Sequence, residues 1–376
     1  MLNTNIKRLL CKCLSSAIAC SVLFMSGCTA ANPEEVVYYP NPSVSNVTSD
    51  VEDNETEEEI IEEVEEPVVI KNDSIRQNGT YEYEPTKLLV YLEEKDTRTD
   101  AMEEAVLIMK AVDEVSPTVN FEGYNSDKII VDLATEIASV SNPICSTISL
   151  EPDDGDTYKI IYQNEIDDQK KINEEFKLKI EEIINESIKP EYTDKQRTYA
   201  LYRYLLDHYT IFYDEDCDNP AASILGDASS DLGVSALFTD SLSISDLTFI
   251  YAFLLNQVNI DARVIGCMGR YNDSDLSLLQ DWYDTVSQTQ WLWNVVKFSD
   301  EEAYHVDLGF EFLSSYDERG AELDKPYDVR FFGASDKTRG EYFDMWYSTD
   351  FFIVNPAESR NCPTCAEDMK DFEIDN

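Results

Sequence analysis

Histidine is scarce in this chain. Only His208 and His305 occur among 376 residues, so any chemistry that needs an imidazole must use one of these two. Basic side chains are also few, 29 Lys and Arg against 76 Asp and Glu, for a formal net charge of −47. A surface of that sign repels nucleic acid, anionic lipid headgroups and wall polymers, which excludes nucleic acid as a partner. There is no Gly-rich phosphate loop, no H-E-x-x-H and no internal repeat. Asp214, Asp216 and Asp218 start like a calcium loop, but Asn219 and Leu225 stand where loop positions six and twelve need Gly and Glu. No cofactor and no metal are expected.

Cysteine is also limited once the first residues are set aside. Of nine Cys, those beyond Cys28 are Cys145, Cys217, Cys267, Cys362 and Cys365. An odd number cannot make a complete disulfide framework. Cys362-Pro-Thr-Cys365 has the C-x-x-C spacing of redox and zinc sites, but no second pair accompanies it. It reads as a local disulfide or as thiols in an acidic tail.

What the chain does have begins at its first residues. Lys7, Arg8 and Lys12 form a positive region, residues 13–27 are uncharged and mostly apolar, and Ser26-Gly27 lead into Cys28. This is the layout of a signal peptide. The uncharged run is 15 residues long, short of the ~20 that a spanning helix needs. Phe24-Met25-Ser26-Gly27-Cys28 resembles a lipobox, with Met25 where Leu is usual. The resemblance implies cleavage before Cys28, lipidation of its thiol, and a protein anchored on the extracytoplasmic face of the cell membrane. Loss of residues 1–27 removes three basic and no acidic side chains, taking the net charge from −47 to about −50.

Residues 28–78 are rich in Pro, Asn, Ser and Glu, with a dense run of acids at 50–66. Such a segment cannot bury enough apolar surface to offset its ordering entropy, and like charges extend it, so it reads as a solvated tether. An ordered N-terminal α/β region follows at 79–190. Within it, 88–93 and 128–134 read as strands, and 100–113 shows helical periodicity through Ala101, Ala105, Ile108 and Val112. Residues 145–150 and 157–163 flank the turn Pro152–Asp156 as a hairpin. A long helix spans 166–187, with Ile172, Phe176, Ile180 and Ile184 spaced by four. Thr193 caps the next helix, 194–209. The chain closes with an acidic tail, 356–376.

Between these, residues 191–355 resemble the transglutaminase-like superfamily. Four segments carry the likeness: 195–213 (KQRTYALYRYLLDHYTIFY), 236–266 (ALFTDSLSISDLTFIYAFLLNQVNIDARVIG), 291–297 (WLWNVVK) and 304–308 (YHVDL). The second ends in Asn259-Ile260-Asp261-Ala262-Arg263-Val264-Ile265-Gly266, like the family's "G-I-x-A-R-x-V-x-G". The third and fourth resemble its "H-A-W-N-x-V" and "Y-H-V-D" strands. The resemblance implies an α+β fold with a papain-like core and the N-terminal α/β region beside it. It also implies a Cys–His–Asp triad, in which a helix N-terminus and an imidazolium activate the thiol.

Carried over residue by residue, the Cys position falls on Ile244, whether counted back from Arg263 or forward from Ala236-Leu237. The His position falls on Trp291, and Asp307 keeps the third place in its strand. Isoleucine has no lone pair for attack, and an indole N–H donates but cannot take a proton. Substitutes are few. Ser243 with Asp246 reads as a helix N-cap and its capping-box partner. Cys267 reads as a buried apolar thiol, and His208 as a surface or partly packed residue at a helix end. His305 shares a strand face with Asp307 and is the one candidate base near the vestigial site.

The catalytic positions Ile244, Trp291 and Asp307 therefore read as vestigial. Trp291 is expected to fill the cleft and to donate to Asp307 or a backbone carbonyl. The expectation is a pseudoenzyme: a lipid-anchored, catalytically inactive module for binding or structure, with a peptide or protein as the first ligand class by analogy. The alternative is a divergent hydrolase or acyltransferase with a relocated nucleophile.

Overall fold

The computed structural model describes residues 80–93, 99–124, 126–211, 234–239, 241–271, 290–299, 301–314, 329–350 and 363–374. Cys28, the 28–78 tether, Asp214, Asp216, Asp218, Cys217 and Cys362 lie outside them, as does the side chain of Cys267. All the described residues belong to one compact unit, Asn72–Asn376. Among them, no helix is long and apolar enough to cross a membrane.

The fold is α+β. Its first part holds α1 (Val90–Glu93), α2 (Asp100–Asp113), β1 (Thr118–Asn120), α3 (Lys128–Ser141), a 3-10 turn at Pro143–Thr147, β2 (Ile148–Pro152) and β3 (Thr157–Tyr162). The three strands form an antiparallel sheet in the order β1-β3-β2. The β2–β3 hairpin turns at the expected acidic residues, and Asp153 N donates to Thr157 O at 2.9 Å.

Two expected strands are helices instead. Residues 128–134 belong to α3. Asp127 caps it by accepting from Ile129 N, and Val131, Ala134, Ile137 and Ala138 form its buried face. The β-branched run Ile129-Ile130-Val131 suggests a strand, yet Ile129 is 76% exposed, so the helical period decides. Residues 88–93 contain one helical turn. Val90 N donates to the Asn256 side chain at 2.9 Å and Leu92 N to Leu89 O, so these amides have no strand neighbour to pair with.

The helices α4 (Ile166–Ser187) and α5 (Asp194–His208) follow as expected. Thr193 and Gln196 make a capping box at the start of α5. The short strands β4 (Thr210–Ile211) and β5 (Ser241–Leu242) pair in parallel. Then comes α6 (Ile244–Gln257), started by the capping box Ser243–Asp246. Every residue of α6 except Asp246 is buried. A helix apolar on all sides must be central, and this one is enclosed on several faces. Its Tyr251 hydroxyl donates to Thr198 O of α5 at 3.0 Å.

The second sheet contains β6 (Asp261–Tyr271), β7 (Gln290–Ser299), β8 (Glu302–Val306), β9 (Phe332–Ala334) and β10 (Phe343–Asp350), in the antiparallel order β10-β6-β7-β8-β9. Between β8 and β9 lies α7 (Leu308–Leu313), and between β9 and β10 lies α8 (Asp336–Tyr342). Asn294 fastens α6 to this sheet: its Nδ2 donates to Thr248 O at 3.0 Å. One continuous apolar core runs from Tyr81 through α2, α4, α6 and the sheet to Met369.

Candidate functional site

Ile244, Trp291 and Asp307 come together in space. Ile244 is the first residue of α6, Trp291 lies near the start of β7, and Asp307 follows β8. They are 1%, 2% and 0% exposed, so no open cleft separates them. Their meeting point is Gly309. A Cβ placed on it would fall 2.7 Å from Ile244 Cγ2 and 3.0 Å from Trp291 Cζ2. The Trp291 ring stacks on Phe310, with centroids 4.2 Å apart. Aliphatic and aromatic side chains occupy the volume between helix and sheet at core density.

Asp307 is not in the strand. It is the N-cap of α7, and its Oδ1 accepts from Phe310 N at 3.1 Å. Its Oδ2 accepts from Trp291 Nε1 at 2.9 Å and from Arg339 Nη1 at 2.9 Å. Burial pushes this carboxyl upward, and the Arg339 guanidinium and the three N–H donors oppose that shift. In a working triad, such a carboxylate would orient an imidazole. Here an indole and a guanidinium take its acceptor sites.

His305 faces a second set of partners. Its Nδ1 lies 3.0 Å from Trp293 Nε1 and its Nε2 lies 2.8 Å from Asp336 Oδ1. An indole nitrogen only donates, so Nδ1 must carry the lone pair and Nε2 the proton, which it donates to Asp336. The ring is 1% exposed. Burial lowers its pKa, with Asp336 opposing and Arg339 reinforcing. The Arg339 guanidinium lies 3.9 Å above the Trp293 ring and joins the two groups, one branch to Asp307 and one face to Trp293. Stacking on a Trp face suits a buried guanidinium.

Cys365 completes the cluster. Its backbone N–H donates to Asp336 Oδ2 at 3.1 Å, and its carbonyl accepts from Asp336 N at 2.8 Å. The ligand-type atoms of His305, Asp336 and Cys365 all lie within 4.8 Å of one another. This is the nucleophile-type neighbour that His305 lacks in the sequence reading, and it comes from the acidic tail. Proximity is nevertheless insufficient. To take the thiol proton, or to bind a metal at Nε2, a neutral His305 must carry its proton on Nδ1. The Trp293 N–H already points there. The cluster is a satisfied hydrogen-bond chain, and it does not fit a base or a metal ligand.

The other candidates are accounted for by their partners. Ser243 Oγ accepts from Asp246 N at 3.1 Å and donates to Asp246 Oδ2 at 2.7 Å, as a cap does. His208 ends α5, with Nδ1 2.9 Å from Tyr204 O and its ring stacked on Tyr204 at 3.9 Å. A separate, largely apolar hollow lies beside Leu89, Phe253 and Val264 and shares no residue with the site.

The chain matches no protein-family model, and no curated protein is significantly similar to it.

Arg339, Asp336 and Gly309 are site residues that sequence reasoning misses, and Cys365 is seen there only as part of a C-x-x-C spacing. Asp307-Leu308-Gly309-Phe310 does hold a readable signal, an Asp placed to cap a helix. Arg339 and Asp336 are one charged pair among many in an acidic chain, and nothing local distinguishes them.

Proposed function

We propose that this protein is a membrane-anchored extracytoplasmic lipoprotein. In this reading its C-terminal half is a papain-like, transglutaminase-type domain that has lost catalysis and serves as a binding or structural module, with a peptide as the first ligand class. The observation that carries the reading is the occupation of Asp307. The indole at the position expected for the catalytic imidazole donates to it, and Arg339 neutralises it. The close packing of Ile244 and Trp291 against Gly309 agrees, since it leaves no room for a scissile carbonyl. So does the tautomer of His305, the one imidazole near Asp307.

Two experiments test this reading. The folded full-length chain is treated with broad thiol-reactive and serine-reactive activity probes, and no stoichiometric labelling is expected. Labelling of a single residue near Asp307 or His305, with turnover of a peptide or amide, would establish the divergent enzyme instead. In cells, a radiolabelled or clickable fatty acid should enter the wild type and not Cys28→Ala. Equal labelling of both would refute the anchor.

A further inference from the structure

The last described segment, Pro363–Ile374, has no regular secondary structure, yet it is seated along the open edge of the second sheet. Its contacts are discrete. Cys365 pairs with Asp336 through both its N–H and its carbonyl. Asp368 accepts from Ser335 N at 2.7 Å and from Thr338 Oγ1 at 3.0 Å, beside the Ser335 Oγ that accepts from Thr338 N at the start of α8. Met369 N donates to Gly333 O of β9 at 2.7 Å. Gly333 has φ +67, and a Cβ there would fall 2.5 Å from the Met369 Cβ, so only glycine leaves the Met369 seat open. Phe372 lies against Phe332 and Tyr199, with centroids 4.8 and 5.1 Å away. Gln196 donates to Glu373 O at 3.2 Å.

Buried anchors alternate with solvated residues. Cys365 and Met369 are buried and Phe372 is half-buried, while Ala366, Glu367, Lys370, Asp371 and Glu373 are exposed. The segment bends at Glu367 and Asp371 and reaches β9 through the Met369 N–H, so pockets for selected side chains, and not a strand ladder, hold it. An uncovered edge would also be an aggregation hazard, which the segment removes.

We infer that the β9 edge, the first turn of α8 and the Tyr199–Phe332 shelf form a peptide-binding site for an acidic segment of pattern Cys-x-x-Asp-Met-x-x-Phe, and that the chain's own segment 363–374 is its built-in competitor. The inference rests on the binding-module reading and names its ligand class and regulation. The occupant is a partner peptide carrying an Asp for the Ser335 and Thr338 donors, a flexible apolar side chain next to it and an aromatic three residues further on. Burial pushes the Asp368 carboxyl upward, but the Ser335 and Thr338 donors, helped by the Lys337 charge, hold it below the usual range, so the seat favours an anionic residue. A ligand in trans must displace the tethered segment, which lowers its apparent affinity by the fraction of chains that are open.

The probe is a fluorescent peptide of residues 363–374. The full chain carrying Asp368→Ala, Met369→Ala and Phe372→Ala should bind it saturably, at least about tenfold more tightly than the wild type. A probe peptide with the same three changes should not bind. Folding of the variant is checked by far-UV circular dichroism. A second form keeps every native contact: a protease site is inserted between Glu358 and Ser359, and the chain is cut after folding. The cut segment should then exchange for labelled peptide. A folded variant that binds no peptide, together with a cut segment that cannot be replaced, would overturn the inference. Activity-probe labelling bears only on the inactive-domain reading, so the two can fail separately.

Discussion

Replacing Trp293 with Phe tests the His305 arrangement directly. In the wild type the one nitrogen open to a second proton is Nδ1, and a proton there would face the indole N–H at 3.0 Å. The folded chain therefore holds His305 neutral, whereas in the unfolded chain the ring takes a proton near pH 6.5. Below that pH the unfolded state binds one proton more than the folded state. Stability then falls as pH drops, by up to about 1.4 kcal/mol per pH unit, until the lowered folded value is reached. Between pH 7.5 and 5.5 this one group removes at most about 1.4 kcal/mol. Trp293→Phe loses about 1 kcal/mol at neutral pH with the hydrogen bond. It also frees Nδ1 for a proton that Asp336 across the ring would favour, so its stability should depend less on pH over the same window. Urea unfolding of both proteins at several pH values gives the two slopes. The chain has only two imidazoles, so two-bond proton–nitrogen correlations on the wild type and His208→Gln assign both rings. A proton on Nδ1 of His305 in the wild type, or identical slopes in the two proteins, would refute the reasoning.

Gly309→Ala should destabilise by about 1 kcal/mol in thermal or urea unfolding: the helix gains up to about 1 kcal/mol from Ala, but overpacking against Ile244 and Trp291 costs about 1–3. Ile244→Ala should cost at least about 0.5 kcal/mol less in that background than in the wild type, because it removes the clashing methyl. Arg339→Met should cost about 3–5 kcal/mol at neutral pH, by leaving Asp307 charged and buried, and less in acid, where the carboxyl can take a proton. Adding Asp307→Asn should recover most of that loss, and an unchanged deficit in the double variant would sink the pairing argument.

Legibility followed the range of the interactions. The helices 100–113, 166–187 and 194–209, the Thr193 cap and the Ser243–Asp246 capping box rest on periodicity and near neighbours, and they appear where the sequence places them. The segments 88–93 and 128–134 did not: at 128–134 a β-branched run hid a helical period, and at 88–93 a partner far along the chain overrode an apolar strand signal. Asn256, 166 residues away, takes the amide of Val90. The gathering of Ile244, Trp291 and Asp307 was legible through resemblance alone. The guanidinium on Asp307 was not, since Arg339 is 32 residues further on and reaches it only when β9 and α8 fold back. Cys365 was visible as part of a C-x-x-C spacing in an acidic tail, but its partner Asp336 was not.

The seating of residues 363–374 also sets an order of events during synthesis. The surroundings of His305 and the outer side of β9 are finished by a segment that is made after every described helix and strand of the fold. Chains elongate at about 5–20 residues per second. Until residues 363–374 have emerged, the β9 edge stays uncovered and open to pairing with other chains. A chain broken off between β10 and Pro363 would therefore keep most of its core and carry a persistent sticky edge.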